Sequence, residues 1–485
     1  MGLDTAFSIA TGGLVNTSRQ LDVVSQNVSN ASTSGYTREV GTQTSLSSGD
    51  LPMGVRTGIT QRAVDTMLQS EARQQNAAVA ALDVRSQALS SIDTAHGTVG
   101  DGNDLASLTG SLKDAFSSLA ASTDSASTQA SVVSAANTLV NGIHRVADAI
   151  STQRQSAQDS LVQEVGQLND ALSSVGTLSR KISSEKAAGR GTAALEDQRD
   201  TALDTIATLT GAHFNQQNDG SVQVILPSGT TLPTDGTAVT LSDGQVGAQT
   251  AAPAISLNGA DITDQFTTGQ IGANVSLRDS ELPTFQAELD EFSHNMADRF
   301  SAAGLDLFTD GTNAVAAASA TPPVQADYLG LSSRIAVNPA VSADSSLVQQ
   351  GTDGVTRASS DQTIINAVLD QAFGPQSATT AAAPSAQYLG VSGKLSLPFS
   401  SPPTLSSFAT DVVSSQTGTS SAASSDLTNA QAIQKTLNTK VSSVSGVSVD
   451  TEMSAMISLQ NSYAANARMI TTIKDLWNVL QQMGS

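Results

Sequence analysis

Residues 3–30, LDTAFSIATGGLVNTSRQLDVVSQNVSN, decide how the rest of the chain is read. Leu3, Phe7, Ala10, Leu14, Thr17, Leu21, Val24 and Val28 recur at alternating spacings of four and three. That is the stripe of a helix buried along one side against another helix. A matching stripe lies near the other end, in Met456, Leu459, Tyr463, Asn466, Ile470, Ile473, Trp477 and Leu480. Ends built to pair put the middle of the chain on an out-and-back path. This is the layout of an elongated subunit whose ends plug into an assembly, and it is unusual for an enzyme. Ala10, Thr17 and Asn466 dilute the stripes, and a buried Asn at such a position favours register and partner choice at a cost in stability. Isolated helices of this length are marginal in water. Residues 1–30 and 455–485 are therefore expected to be mobile in the monomer and to order on assembly.

The 485 residues exceed what one core holds and imply about two to four domains. A net charge of -21 argues against general binding to nucleic acid or to anionic membranes, whose phosphates would be repelled. Aromatic residues make up only 3%, so Ala, Val and Leu are expected to fill the cores, which suits long helical bundles. The chain has no Cys, which excludes disulfides, thiolate catalysis and cysteine-ligated metal sites. No apolar run approaches the ~18–20 residues that span a bilayer. The opening MGLDTAFSIATGG has no basic region and no proper apolar region, so it does not read as a cleaved secretory signal. Ala6 breaks the myristoylation pattern. If exported, the chain is expected to carry an unprocessed address of another kind.

Residues 3–33 read as one helix, stopped by Gly35, which can take the left-handed conformation. Residues 36–60 read as hairpin strands. Residues 61–95 read as a helix with Leu68, Ala72, Gln75, Val79, Leu82, Ser86 and Leu89 on one stripe, followed by helices at 104–121 and about 127–186. The last would be roughly 90 Å long at 1.5 Å per residue. Gly189 and Gly191 end it, and 193–210 is helical again. Residues 213–275 read as β, with turns at Asp219-Gly220, Asp235-Gly236 and Asp243-Gly244. Helix resumes at 281–303. The mixed stretch 304–404 holds a helix at 360–373 and low-complexity runs such as SATTAAAPSA. Tyr328-Leu329-Gly330-Leu331-Ser332 and Tyr388-Leu389-Gly390-Val391-Ser392 resemble each other, and chance or paired strands both fit. Helix returns by 426–444 and again over 450–482, while the Ser-rich 414–425 reads as a linker. The fold class is mainly α with inserted β domains: an elongated multidomain rod with paired N- and C-terminal coiled-coil helices and a long-helix trunk. The expected division is 1–60 with 447–485 for assembly, then 61–210, 279–303 and 405–446 as helical trunk. Residues 211–278 form a β-rich insertion, and 304–404 a mixed one.

The sharpest local signal is Asn27-Val28-Ser29-Asn30-Ala31-Ser32-Thr33-Ser34-Gly35-Tyr36. Asn27 and Asn30 sit three apart, so their amides share a helix face and could cap backbone groups or bond across a helix contact. Tyr36 can latch onto the next element. The plain reading is a polar helix end. The segment also resembles the Asn-x-x-Asn-x-x-Thr-x-Gly-Tyr signature of the flagellar axial family of rod, hook and hook-associated proteins. Asn27, Asn30, Thr33, Gly35 and Tyr36 occupy its five positions. Gly446-Val447-Ser448-Val449-Asp450-Thr451-Glu452-Met453, continuing through Gln460, Tyr463, Ala465, Asn466, Ala467 and Arg468, is similar to the C-terminal block of the same family. In the middle, Asp197-Gln198-Arg199-Asp200, Asp219-Gly220-Ser221-Val222, Arg278-Asp279, Leu289-Asp290 and Ile335-Ala336-Val337-Asn338-Pro339 resemble the hook-associated branch. Asp298-Arg299-Phe300 and the Ser-rich 414–425 depart from its pattern, although the resemblance suggests helix from about Leu405.

The resemblance implies a junction adapter between hook and filament. Terminal helices of neighbouring copies would pack around a central channel, and the β insertions would lie outward. It also implies export through the flagellar type III apparatus and a chaperone on the C-terminal helix. The implied partners are further copies of the chain, the hook protein and a second hook–filament junction protein, with no nucleic acid and no membrane insertion. The interface residues would be Leu14, Leu21, Val24, Asn27, Val28, Asn30, Thr33, Gly35 and Tyr36 at one end. At the other they would be Met456, Leu459, Tyr463, Asn466, Ala467, Ile470, Ile473, Trp477 and Leu480.

Signals for catalysis, cofactors or metals are thin, and none is expected. Gly189-x-Gly191-x-x-Ala194 follows a charged helix rather than a strand, so it fits a helix end better than a dinucleotide loop. Arg180, Lys181, Lys186 and Arg190 suit a solvated helix C-terminus. His96, His144, His213 and His294 share no ligand spacing. Asp101-Gly102-Asn103-Asp104 hints at a calcium loop, but its twelfth position is Leu112. The rival readings are another axial protein, such as a hook protein or a flagellin relative, or an exported surface-binding module built on 213–275.

Overall fold

The computed structural model describes residues 2–33, 35–48, 51–98, 101–311, 314–315, 325–375, 385–400 and 402–483. The chain begins with α1 (Leu3–Asn30), the antiparallel hairpin β1 (Glu39–Ser48) and β2 (Leu51–Arg62), then α2 (Thr66–His96), α3 (Leu105–Ala121), α4 (Ala126–Ala187) and α5 (Ala193–Thr210). Short strands follow: β3 (His213–Gln216), β4 (Val222–Ile225), β5 (Thr231–Leu232), β6 (Val239–Thr240), β7 (Ser256–Leu257) and β8 (Ala260–Asp261). They make two antiparallel three-stranded sheets, β3-β4-β5 and β6-β7-β8. Next come α6 (Gly269–Ser276), α7 (Leu282–Ala302), β9 (Phe308–Thr309), β10 (Ala336–Val337), α8 (Pro339–Ala343), α9 (Leu347–Gln350) and α10 (Thr363–Ala367). The chain closes with β11 (Gln387–Leu389), β12 (Leu395–Ser396), α11 (Leu405–Ser445) and α12 (Val449–Met483).

The chain forms two compact units. One comprises 1–79, 166–238 and 430–485; the other comprises 80–165 and 239–429. Three of the four boundaries fall inside α2, α4 and α11, and the fourth falls just ahead of β6. In the first unit, α12 and the β1–β2 hairpin both pack on α1. Helix starts are set by acceptors: Asp65 Oδ1 takes the Met67 and Leu68 N–H groups at 3.0 and 3.1 Å, opening α2. Asp104 Oδ1 takes the Ser107 N–H at 3.0 Å, opening α3. The would-be calcium residue Asp104 is thus a helix cap.

The second unit corrects the expectation of cores filled by small aliphatics. Nine of the eleven phenylalanines lie in it. Phe300 sits against Phe116, Phe308 and Phe373 with ring centroids 5.2–5.8 Å apart, and Phe292 meets Phe408 edge-on at 5.7 Å. Sparse aromatics are concentrated where α7 is enclosed on nearly all sides.

Three further differences from the sequence reading have local causes. Residues 269–276 are helical rather than β. Ile271 and Val275 point inward at helical spacing, and Gly272 is required because a Cβ there would lie 2.8 Å from the Thr267 carbonyl carbon. The Ser-rich 414–425, which composition reads as a linker, is helix within α11, and α11 starts at Leu405, where the resemblance implies helix. Leu405, Phe408, Ala409, Val412, Val413, Gln416, Ser420 and Ala423 are buried at spacings of three and four. Its outward hydroxyls, Thr410 and Ser425 among them, bond carbonyls four residues back. The two Tyr-Leu-Gly segments do not pair as strands. Each places its glycine at φ +72°, and Gly330 and Gly390 donate their N–H groups to Asp290 and Gln325. Most of SATTAAAPSA lies outside the described residues.

Candidate assembly surface

The signature segment folds into a polar lock at the end of α1. Gly35 turns the chain with φ +77°, and a Cβ there would lie 3.0 Å from Thr201 Oγ1. The turn brings Tyr36 back so that its hydroxyl donates to Asn27 Oδ1 at 2.8 Å. The same oxygen accepts the Glu39 N–H at 2.9 Å. Asn27 Nδ2 donates to the Glu39 carbonyl at 2.9 Å and to Glu452 Oε2 at 3.1 Å. Asn27 is 1% exposed, and both its donors and both acceptor positions are filled. Asn30 works locally, donating to the Gln26 carbonyl at 3.0 Å and accepting from Thr33 Oγ1 at 3.3 Å.

The lock ties three distant parts of the chain. Buried Glu452, in the first turn of α12, accepts Arg38 Nε at 2.7 Å, and the Arg38 N–H donates to the Ser445 carbonyl at 2.9 Å. The Thr37 N–H donates to Asp197 Oδ2 on α5 at 3.2 Å. Arg62, at the end of β2, bridges Asp197 at 2.9 Å and Asp200 at 2.6 Å. Burial opposes the Arg62 charge, but Asp200, Asp197 and Glu196 outweigh it and raise its pKa. Burial pushes the Asp197 carboxyl up despite its Thr37 and Arg62 partners. Burial, with Glu39, Asp197 and Glu452 nearby, raises the Tyr36 phenol far above its usual range, so it stays a donor. The blocks at 27–36, 197–200 and 450–453 therefore meet in one network.

Beyond the lock, α1 and α12 run antiparallel. Asn27 faces Glu452, and a Cβ on Gly13 would come within 3.2 Å of Asn466 Nδ2. Gly13 thus lets the two backbones approach. Along the seam Ala10, Thr17 and Val24 are buried, while Leu14, Leu21 and Val28 are half-buried. Opposite them Ile473 is buried, and Met456, Leu459, Asn466, Ala467 and Ile470 are half-buried. Tyr463 lies at the exposed margin. On the other side of α1, Asn16 donates to Gln43 at 2.7 Å and accepts from Thr57 at 3.2 Å, holding the hairpin.

The same register carries Leu3 opposite Leu476, so the rest of α12 runs past the start of α1. Trp477 and Leu480, 41% and 56% exposed, fall in that overhang together with Val479 and Met483, and Leu476 beside it is exposed too. Gly13, Arg38 and Arg62 were absent from the candidate residues read in the sequence. The Gly12-Gly13 pair in mid-helix was the available signal for the first, because glycine inside a helix costs stability unless a neighbour needs the space. Among the described residues no group of three or more His, Asp or Glu could hold a metal ion, and no helix is long and apolar enough to cross a membrane.

Residues 89–316 match the family model for the flagellar hook-associated protein FlgK helical domain. Residues 7–37 match that for flagella basal body rod protein, and 440–483 that for the flagellar basal body rod FlgEFG protein C-terminal region. The chain is 24% identical to flagellar hook-associated protein 1 of Salmonella typhimurium, over 74% of this chain and 69% of that protein. It is 23% identical to the Bacillus subtilis protein of the same name, over 47% of each. A solved structure of the flagellar hook junction protein FlgK from Burkholderia pseudomallei aligns at TM-score 0.43 and 21% identity, over 51% of this chain and 46% of that one. Rod-type matches at both ends, on the paired helices, define a structural component of the bacterial flagellar axis. Within that class, the helical-domain match between them narrows the likeness. The chain is a structural axial component of the flagellum, similar to flagellar hook-associated protein 1.

Proposed function

We propose that the chain joins hook to filament by polymerising through its terminal helices. The observation that carries this reading is the overhang of α12, where Trp477, Val479, Leu480 and Met483 lie exposed past the start of α1, next to exposed Leu476. An apolar patch of this kind on a single chain marks an interaction site. A neighbouring copy covers it, and the half-buried seam residues Leu14, Leu21, Val28, Met456, Leu459 and Ile470 set its edges. Asn27, Asn30, Thr33, Gly35 and Tyr36 serve assembly indirectly, by fixing the angle at which α1 meets the hairpin and α12.

In this reading 1–60 and 447–485 assemble, the trunk stretches 61–210, 279–303 and 405–446 bear load, and 211–278 and 304–404 are additions to that frame. The partners are sibling copies, the hook protein and a second junction protein. A chaperone shields α12 before type III export, since the overhang would otherwise aggregate. The chain has no catalytic role. Deleting the gene tests the assignment: intact hooks without filaments, with flagellin lost to the medium, are expected. Normal filaments would remove the junction role.

A further inference from the structure

In the second unit, a cavity of about 410 Å³ lies between α4, the loop at 246–250 and the turn at 330–334. Two arginines line it and, among the described residues around it, no carboxylate does. That is unusual in a chain with 44 acids and 23 bases. Arg154 Nε and Nη1 donate to the Arg278 and Gly247 carbonyls, both at 2.8 Å, and its Nη2 takes no partner among the described residues. Burial opposes the Arg154 charge, and the carboxylate that favours it, Asp279, already has both oxygens on Arg278 at 2.8 and 2.7 Å. Arg334 Nη1 donates to the Leu329 carbonyl at 2.6 Å, while its Nε and Nη2 take no partner and it forms no ion pair among the described residues. The walls are fixed in place. Asp290 takes the Gly330 and Ser332 N–H groups at 2.6 and 2.9 Å, and Gln249 Nε2 ties the loop to the Leu329 carbonyl at 3.1 Å. Ile150 and Val246 give a buried apolar floor. Ser151, Gln249, Thr250 and Ser333 are exposed and Arg334 is half-buried, so the cavity opens to solvent.

We propose that this cavity binds a small organic carboxylate. The carboxylate would accept from the uncommitted N–H groups of Arg154 and Arg334. The carbon body would lie on Ile150 and Val246, which favours an organic anion over an inorganic one. The volume falls within the range of about 300–1,000 Å³ typical of small-molecule sites, where an apolar lining carries a few placed polar groups. A guanidinium held away from water, as Arg154 is, attracts an opposite charge more strongly than an exposed one. The site lies within the second unit and does not rest on the terminal-helix reading.

The test uses the full chain with methyl-labelled Ile150 and Val246, titrated separately with benzoate, its neutral analogue benzamide and inorganic phosphate. Saturable shifts of both methyls with benzoate are expected, with binding about tenfold weaker or worse for benzamide and for phosphate. Arg334→Gln removes one donor, and Ser151→Asp sets a competing carboxylate at the exposed lip. Each is expected to weaken benzoate binding about tenfold or more. Ser151 is exposed, so its variant leaves the packing intact, and unchanged methyl signals elsewhere report the fold of both. Absence of saturable shifts with benzoate, equally tight binding of benzamide or phosphate, or unchanged affinity in either folded variant would overturn the proposal.

Discussion

Asn27 shows how one side chain can hold a junction of three segments. Its four hydrogen bonds join the end of α1, the start of β1 and the first turn of α12. Asn27→Ala would strand the buried Glu39 N–H and unpair the half-buried Tyr36 hydroxyl, at a cost of about 2–3 kcal/mol in the first unit. Urea unfolding of the variant against wild type checks this. The spacing of Asn27 and Asn30 was legible in the sequence, including the option of bonding across a helix contact. What could not be read was which partner each takes, because Glu39 and Glu452 are brought in only by the hairpin and by a helix more than 400 residues away.

A second residue-scale prediction concerns α7. Burial pushes the Glu288 and Glu291 carboxyls from 4.5 up to about 7. The folded chain then keeps protons that the unfolded chain gives up above its ordinary carboxylate value. This contribution to stability is full below about pH 4.5, falls as pH rises through about 7, and is flat beyond. The urea midpoint of the second unit is expected to fall across that window, and Glu288→Gln with Glu291→Gln is expected to flatten the slope. An equal slope in the double variant would refute it.

At the scale of elements, the seam depends on a close approach at Gly13. Gly13→Leu would drive a side chain into Asn466, which the chain relieves only by moving α12, so about 1–3 kcal/mol is lost from the terminal pair. Circular dichroism on heating should show an earlier loss of helix in this variant. Amide exchange in dilute monomer gives an independent check, with protection expected around the Asn27 lock and fast exchange beyond Ile473. Strong protection as far as Met483 would reject ordering of the overhang on assembly. Element positions read well wherever apolar residues kept a strict period, as in α1, α4 and α12. Composition failed over 414–425 of α11, whose inward positions include Gln416 and Ser420 while Ser and Thr crowd the outer face and hide a true helical period. Periodicity failed at α6 because two glycines broke the pattern that Ile271 and Val275 carry.

At the scale of the whole molecule, folding and assembly rest on different parts of α12. Removing residues 474–485 takes away the overhang but leaves the lock and the Asn466 contact in place. Such a chain is expected to stay folded and monomeric, yet to leave hooks bare in a deletion strain. The family was legible from its motifs because those motifs build the lock. The overhang was not, since Trp477 and Leu480 continue the stripe of Ile470 and Ile473 without a break. Only the register against α1 shows that they have passed their partner's end.

The most direct measurement is cryo-microscopy of intact flagella that carry this chain. The account predicts α1 and α12 paired antiparallel in every copy, with Leu476, Trp477 and Leu480 buried against a neighbouring copy. Terminal helices standing in solvent, with that overhang touching no other subunit, would contradict it.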